Sequence, residues 1–241
     1  MKIALLGYGK MGKVIERIAL ERGHEIVLKK SSSDTFNGLQ NADVAIDFSV
    51  PSSAIANISE CLNTDIPVVS GTTGWLEHYD EMVALCEVKK GAFIYGSNFS
   101  LGVNLFFELN DYLAKMMSRF NQYSVSMEEI HHTQKLDAPS GTAISLAKGI
   151  IENSNYTHWT LENPNENEIL IDAQRIENVP GTHSVFYTSE VDTIEIKHTA
   201  HNRDGFALGS IIAAEWLYGK KGVFTMRDVL ELEKKNIENR I

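Results

Sequence analysis

The sequence predicts an α/β protein in two parts, an N-terminal parallel sheet covered on both faces and then a second domain of α+β type. Three observations carry that prediction. Short unbroken apolar runs alternate with stretches of helical period as far as Tyr95, the alternation stops after Asn98, and later strand-like segments cluster between Tyr123 and Ala200.

The elements follow in order. Ile3-Ala4-Leu5-Leu6 ends in Gly7 and reads as a strand buried on both faces. Val14, Ile15, Ile18 and Ala19 keep helical spacing, Gly23 stops that helix, and Glu25 to Leu28 is the next strand. Strand, helix and strand in so short a span form a βαβ unit. The pattern then repeats: a strand at Val44–Phe48, a helix from Pro51 to about Leu62, a strand at Pro67–Val69, a helix from Leu76 to about Lys89 and a strand at Ala92–Tyr95. The polar stretch from Lys30 to Asn41 is too short for a further βαβ module, so this first half is a trimmed one.

Past Asn98 a long helix is expected over Leu101–Met117, a half-buried strand over Tyr123–Ile130 and a helix over Ala138–Glu152. Residues Asn153–Asn167 read as a polar loop. Further strands are expected at Ile169–Arg175, Ser184–Ser189 and Asp192–Ala200, and closing helices at Ala207–Leu217 and Met226–Leu232. Residues 1–100, completed by 207–241, are expected as one domain and 101–206 as the other, with hinges near Asn98 and Ala207.

Composition narrows the class of function. The 241 residues are 43% hydrophobic and 22% charged, ordinary for a folded chain. The 22 Lys+Arg against 32 Asp+Glu leave a formal charge of −10, which opposes nucleic-acid binding. A small anionic partner then requires a local positive cluster. Two cysteines, Cys61 and Cys86, without CxxC spacing, argue against a disulfide or a zinc site. The chain opens on a strand, without the basic-then-apolar pattern of a secretory signal, and its apolar runs are strand-sized, so a cytoplasmic protein away from membranes is expected.

Gly7-Tyr8-Gly9-Lys10-Met11-Gly12 is a complete G-x-G-x-x-G between the first strand and the first helix. The first glycine permits the turn, the second lets a pyrophosphate approach the backbone, and the third lets helix pack on strand. Phosphates are favoured at the helix start by free N–H groups and the positive dipole end. The first half therefore reads as a Rossmann-type sheet for a nicotinamide dinucleotide. At the end of the second strand, Lys29 and Lys30 followed by Ser31, Ser32 and Ser33 replace the acidic residue that binds a ribose 2′-hydroxyl, which favours NADPH over NADH. The loops Gly71-Thr72-Thr73-Gly74 and Gly96-Ser97-Asn98-Phe99 follow later strands and belong on the same cofactor side.

Six of the eight histidines lie between His131 and His201. The dense stretch runs Glu128-Glu129-Ile130-His131-His132-Thr133-Gln134-Lys135-Leu136-Asp137-Ala138-Pro139-Ser140-Gly141-Thr142-Ala143. A strand ending at His131 and His132 leads to a helix starting near Pro139, with Asp137 as its expected cap. Two imidazoles, an ammonium group and the N–H groups of Ser140-Gly141-Thr142 make an anion pocket suited to carboxylates. A histidine here suits proton delivery near neutral pH. Adjacent histidines on a strand face opposite ways and no i, i+4 pair exists, so no metal is expected.

That segment resembles the signature of the 4-hydroxy-tetrahydrodipicolinate reductase family, of the diaminopimelate route to lysine. Other matching positions are the glycine turn, Gly71–Gly74, Asn98-Phe99-Ser100, Arg175 with Gly181 and His183, His198-x-Ala200-x-x-Arg203, and Met226-Arg227-Asp228-Val229-Leu230. The resemblance implies that His131 passes a proton and that Lys135 assists it while holding a carboxylate. It implies that His132 and the Gly141-Thr142 backbone bind the substrate's carboxylates. It also implies cofactor contacts at Gly7–Gly12, Gly71–Thr73 and Gly96–Phe99, and a mixed sheet in the second domain that builds a homotetramer. The lysines at 29 and 30 are the departure, and they bear on cofactor choice. Two other readings of the residues stay open at this point, a redox sensor that binds NAD(P) without chemistry and a reductase of another small substrate.

Overall fold

The structure, a computed structural model, describes residues 1–31, 33–202 and 204–232. Two compact units emerge, Met1–Leu101 with the described residues from Asp204 onward, and Gly102–Arg203.

The first unit begins with β1 (Lys2–Leu6), α1 (Lys10–Glu21) and β2 (Glu25–Lys30). It continues through β3 (Val44–Asp47), α2 (Pro51–Asn63), β4 (Val68–Ser70), α3 (Tyr79–Lys89) and β5 (Ala92–Tyr95). The six-stranded sheet runs β11-β5-β4-β3-β1-β2, every pairing parallel, where β11 is Gly222–Phe224. Each face carries a core, because strands covered on both sides must be apolar at every position. Ile3, Leu5, Ile46 and Ile94 pack beneath α1 and α6 (Asp204–Leu217), while Leu6, Val68 and Phe93 pack beneath α2 and α3. Among the described residues between β2 and β3, the only regular element is a single turn of 3₁₀ helix, Leu39–Asn41. The expected trimming is therefore present.

The second unit holds α4 (Leu101–Met117, with its first residue in the first unit), β6 (Ser124–His131), α5 (Gly141–Asn153), β7 (His158–Thr160), β8 (Glu168–Arg175), β9 (Gly181–Thr188) and β10 (Thr193–Ala200). Its sheet order is β10-β9-β6-β8-β7. The pairs β10/β9 and β9/β6 are antiparallel, whereas β6/β8 and β8/β7 are parallel, which makes a mixed sheet. One face packs on α4 and α5 through Phe106, Met127, Leu146, Ile171 and Val185. The strict alternation of buried and less buried residues along β6 follows from having one face so covered.

Several local expectations need correction. The segment expected as loop contains β7, which a polar three-residue edge strand does not announce by periodicity. The strand β11 lies between the two closing helices, where none is expected; it adds to β5 as an edge. Helix α6 begins at Asp204, three residues before the expected Ala207. The cap of α5 is Ser140, whose Oγ accepts the Ala143 N–H at 3.2 Å, and not Asp137. The closing helix α7 is one turn, Met226–Val229, and stops short of Leu232.

Candidate active site

In the first unit, the loops after β1, β3, β4 and β5 leave the sheet at the carboxyl ends of parallel strands. The chain turns from β1 to β2 on one side, and β3 lies on the other, so Gly7 stands where the strand order reverses. Gly7 has φ +102° and a Cβ there would lie 2.1 Å from the Phe48 carbonyl oxygen. A Cβ on Gly12 would lie 2.4 Å from the Gly7 oxygen. Gly9, by contrast, faces open space and caps α1 with no side-chain hydrogen bond. The first-turn N–H groups of α1 thus remain for a ligand, and no acidic side chain occupies that turn. A cavity of about 280 Å³ adjoins, lined by Gly7, Tyr8, Gly9, Lys30, Ser31 and Phe48 among others. These features fit a dinucleotide's phosphates and one nucleoside half.

The two lysines differ sharply. Lys29 is ion-paired to Glu16, and its ammonium sits 5.2 Å from the centre of the Tyr8 ring, whose hydroxyl also donates to Glu16. Lys30 is buried, lies 4.7 Å over the Phe36 ring and lines the cavity. No carboxylate pairs with it among the described residues. Ser32 lies outside the described residues.

The other loops are held by a carboxylate that no contiguous motif announces. Asp47, fully buried at the end of β3, accepts from Ser49 Oγ (2.7 Å), Asn57 Nδ2, Ser70 Oγ and Thr72 Oγ1 (each 2.8 Å). Burial pushes its carboxyl up, and those four donors pull it back. Thr72 therefore faces inward, while Thr73 is exposed. Gly71 passes so close to the Phe48 ring that a Cβ would overlap it. In the last loop Gly96 lies against the Phe99 ring, Ser97 is exposed, Asn98 Oδ1 accepts from Ser100 N at 2.9 Å, and Phe99 is buried in the core. A carboxylate ending an otherwise apolar strand, with hydroxyls at 49, 70 and 72, is the signal that could have found this network. Lys10 is exposed and Met11 packs on the core.

In the second unit, alternation along β6 puts Glu129 and His131 on one face, and His132 is the first residue past the strand. Glu129 is fully buried. Its Oε1 accepts from Arg175 Nη2 at 3.0 Å and from Ser140 N at 3.2 Å. Its Oε2 lies 2.6 Å from His131 Nδ1, although the N–H does not point squarely at the oxygen, and 3.9 Å from His183 Nε2. The parallel register that pairs His131 with Arg175 brings the guanidinium to this place. Burial pushes the Glu129 carboxyl up, but His131, the Ser140 N–H and Arg175 together outweigh it and hold it at about 2. Burial also drives His183 down to about 4, with the neighbouring His131 acting the same way. His183 is thus neutral near pH 7, and its Nε2 sits 3.1 Å from Ser140 Oγ.

Lys135 holds both oxygens of Asp137, at 2.9 and 2.8 Å, and its backbone carbonyl accepts from Arg175 Nε. Past the cis Ala138–Pro139 bond, Ser140 starts α5. A Cβ on Gly141 would meet nothing within 4 Å, and the Gly141 and Thr142 N–H groups lie in the first turn, where no intrahelical acceptor exists. His132 opens instead on a cavity of about 460 Å³ with Thr133, Gln134, Glu177, Asn178 and Pro180. Neither Lys135 nor Gly141 lines it.

Glu129, His131 and His183 offer ligand atoms within 4.8 Å of one another, the donor set of a metal site. The carboxylate already answers a guanidinium and a backbone N–H, so the trio is built as an ion-pair network.

A family model for the N-terminal part of dihydrodipicolinate reductase matches residues 1–99, and one for its C-terminal part matches residues 102–230. The chain belongs to the dihydrodipicolinate reductase family. A 4-hydroxy-tetrahydrodipicolinate reductase of Christiangramia forsetii is 56% identical over 239 residues, covering 98% of this chain and all of that one. The enzyme of that name from Thermosipho africanus is 33% identical over 233 residues, covering 96% and 98%. A dipicolinate-bound dihydrodipicolinate reductase from Paenisporosarcina sp. TG-14 shares the fold, with TM-score 0.73 and 23% identity over 93% of this chain and 97% of that one. No helix among the described residues is long and apolar enough to cross a membrane.

Proposed function

We infer that the chain is an NAD(P)H-dependent reductase that converts the cyclic imine derived from 4-hydroxy-tetrahydrodipicolinate into tetrahydrodipicolinate. The observation that carries this reading is the full-length 56% identity to a reductase of that name. The nicotinamide, when bound, supplies the hydride. The chain's own residues bind the two carboxylates, orient the ring and deliver one proton, which with the hydride saturates one double bond.

His131 delivers the proton. It stands at the strand end, nine-tenths buried, beside an ionised carboxylate that offsets its charge when protonated. Lys135 assists and holds a substrate carboxylate; its grip on both Asp137 oxygens is the geometry such a group would meet, and the substrate takes that place. The Gly141 and Thr142 N–H groups at the α5 start, with Ser140 fixing their geometry, receive carboxylate oxygens. His132, which follows β6, contributes to carboxylate binding from the cavity it lines.

NADPH is the preferred cofactor, with Lys30 and Ser31 meeting the 2′-phosphate. Lys30 lacks a carboxylate partner among the described residues and lines the nucleotide cavity, whereas Glu16 already neutralises Lys29. Glycine-turn and loop contacts run from Gly7 to Gly12, Gly71 to Thr73 and Gly96 to Phe99. A cytoplasmic homotetramer completes the reading. Arg203, matched in sequence to the family, lies outside the described residues.

The test is nicotinamide oxidation followed by absorbance, in an assay coupled to the synthase that makes the substrate, with NADPH and NADH in parallel. Oxidation that depends on the synthase product is expected, and its absence in a folded, NADPH-binding protein would overturn the reading. Substituting His131 or Lys135 by Ala should each lower turnover by at least ~100-fold, the scale of a general acid–base group. Lys30→Met, which keeps the stem over Phe36, should lower the NADPH-to-NADH preference by at least ~10-fold, since it removes a charge-assisted contact worth about 1.5 kcal/mol or more.

A further inference from the structure

We propose that Glu129 is a positioning residue that fixes the ring and tautomer of His131, so that Nε2 is the nitrogen left to exchange a proton. The proposal rests on the reading of His131 as proton donor, and it concerns a residue that never touches substrate.

The carboxylate is immobilised before it meets the histidine. Arg175 and the Ser140 N–H occupy Oε1 at 3.0 and 3.2 Å. Arg175 is itself pinned, with Nη1 donating to the Gln174 carbonyl at 2.7 Å, Nε to the Lys135 carbonyl at 3.2 Å and Nη2 to the Asp137 carbonyl. The guanidinium therefore cannot swing, and the plane of the carboxylate is set. Oε2 is what remains, and it lies 2.6 Å from His131 Nδ1. Both residues come from one strand at i and i+2, so strand geometry alone aligns them on one face.

An ionised carboxylate only accepts hydrogen bonds. Arg175, the Ser140 N–H and the nearby His131 outweigh burial, and Glu129 is ionised near neutral pH. The ring nitrogen facing it, Nδ1, must then carry the proton when the ring is neutral. Nε2 is left with its lone pair, ready to take a proton and return it. This is the logic by which a buried carboxylate orients a catalytic imidazole elsewhere.

The groups around the pair agree with that assignment. His183, from β9, meets the His131 ring edge-on at 5.0 Å between centres and 72°. It is held neutral by burial, so it does not compete as a cation for Oε2. Lys135, the other nearby cation from the loop after β6, is matched by Asp137. His198 from β10 acts on His183 and is itself pushed down by burial. On the far side of the ring, a Cβ on Gly181 would come within 3.1 Å of Nε2, so the glycine leaves room at the nitrogen that works. Ser140 N ties the same carboxylate to the first turn of α5. One buried charge thus sets both the proton donor and the helix start that receives substrate.

The experiment is long-range proton–nitrogen NMR on the full protein labelled with ¹⁵N-histidine, the His131 signals being assigned with His131→Gln. The neutral ring should carry its proton on Nδ1. In Glu129→Gln, whose amide can donate to Nδ1, the ring should switch to the Nε2–H form. Turnover of that variant should fall at least ~10-fold while KM stays within about threefold, because its side-chain oxygen still accepts from Arg175 and the Ser140 N–H and so keeps the helix start in place. A wild-type ring protonated at Nε2 overturns the proposal, and this holds even where the variant fails to fold. An unchanged tautomer in folded Glu129→Gln overturns it as well. A switched tautomer with unaltered turnover upholds the grip of Glu129 and removes His131 as the proton donor.

Discussion

At the scale of single residues, the three glycines of the first turn do different work, and substitution separates them. Gly7 has positive φ, and a methyl group there would stand 2.1 Å from the Phe48 carbonyl oxygen, so Gly7→Ala should cost more than about 3 kcal/mol. Gly9 has open space in front of it, so Gly9→Ala should cost less than about 1 kcal/mol of stability. Its methyl would nevertheless stand where a pyrophosphate approaches, and NAD(P)H affinity should fall at least ~10-fold, a loss of about 1.4 kcal/mol. Urea denaturation and cofactor fluorescence titration on the two variants check the pair. Equal stability loss in both would show that Gly7 is not packed tightly against Phe48, and full affinity in Gly9→Ala would place the phosphates elsewhere.

At the scale of elements, α5 shows what pattern reading recovers and where it stops. The helix is legible from Ala143, Leu146, Ala147 and Ile150 on one face, all of them buried. Its start is not, because Asp137 and Ser140 are both good caps and Pro139 suits a first turn. Long-range contacts decide between them: Asp137 is taken by Lys135, while Ser140 touches Glu129 and His183. The same limit hides β7 and β11, edge strands of three residues each, too short to show a period; β11 in addition pairs with β5, about 130 residues earlier. The glycine turn and the His-His-Lys loop are legible because each is contiguous in sequence. The networks of Asp47 and Glu129 are not, since their partners come from 10 to 54 residues away, apart from Ser49 and His131. Ser140→Ala removes a cap and a histidine contact together. It should cost about 1–2 kcal/mol in urea denaturation and raise KM for the dicarboxylate, because the Gly141 and Thr142 N–H groups lose their frame. A stability loss without any change in KM would show that this helix start does not receive substrate.

At the scale of the whole molecule, the two units carry separate cores, and their stabilities need not respond to pH alike. In the second unit, His183 is pushed down from 6.5 to about 4, chiefly by burial. A histidine with a depressed folded value takes up its proton more readily in the unfolded chain, so stability rises with pH across that window. The contribution is complete above about pH 6.5, is lost as pH falls towards 4, and amounts to roughly 3 kcal/mol. Glu129, lowered from 4.5 to about 2, adds a second loss of the same sign, present above about pH 4.5 and gone near pH 2. Asp47 in the first unit works the other way: its carboxyl is raised by burial, so its cost is felt at neutral pH and relieved by acid. Tryptophan placement makes the difference measurable. Trp159 lies on β7 in the second unit, while Trp75 and Trp216 belong to the first. With Trp75 and Trp216 replaced by Phe, urea midpoints read from Trp159 should fall steadily between pH 7 and 4.5, and His183→Gln should flatten that fall. A midpoint that is level across this range in the wild-type background would show that His183 is not buried as a neutral ring.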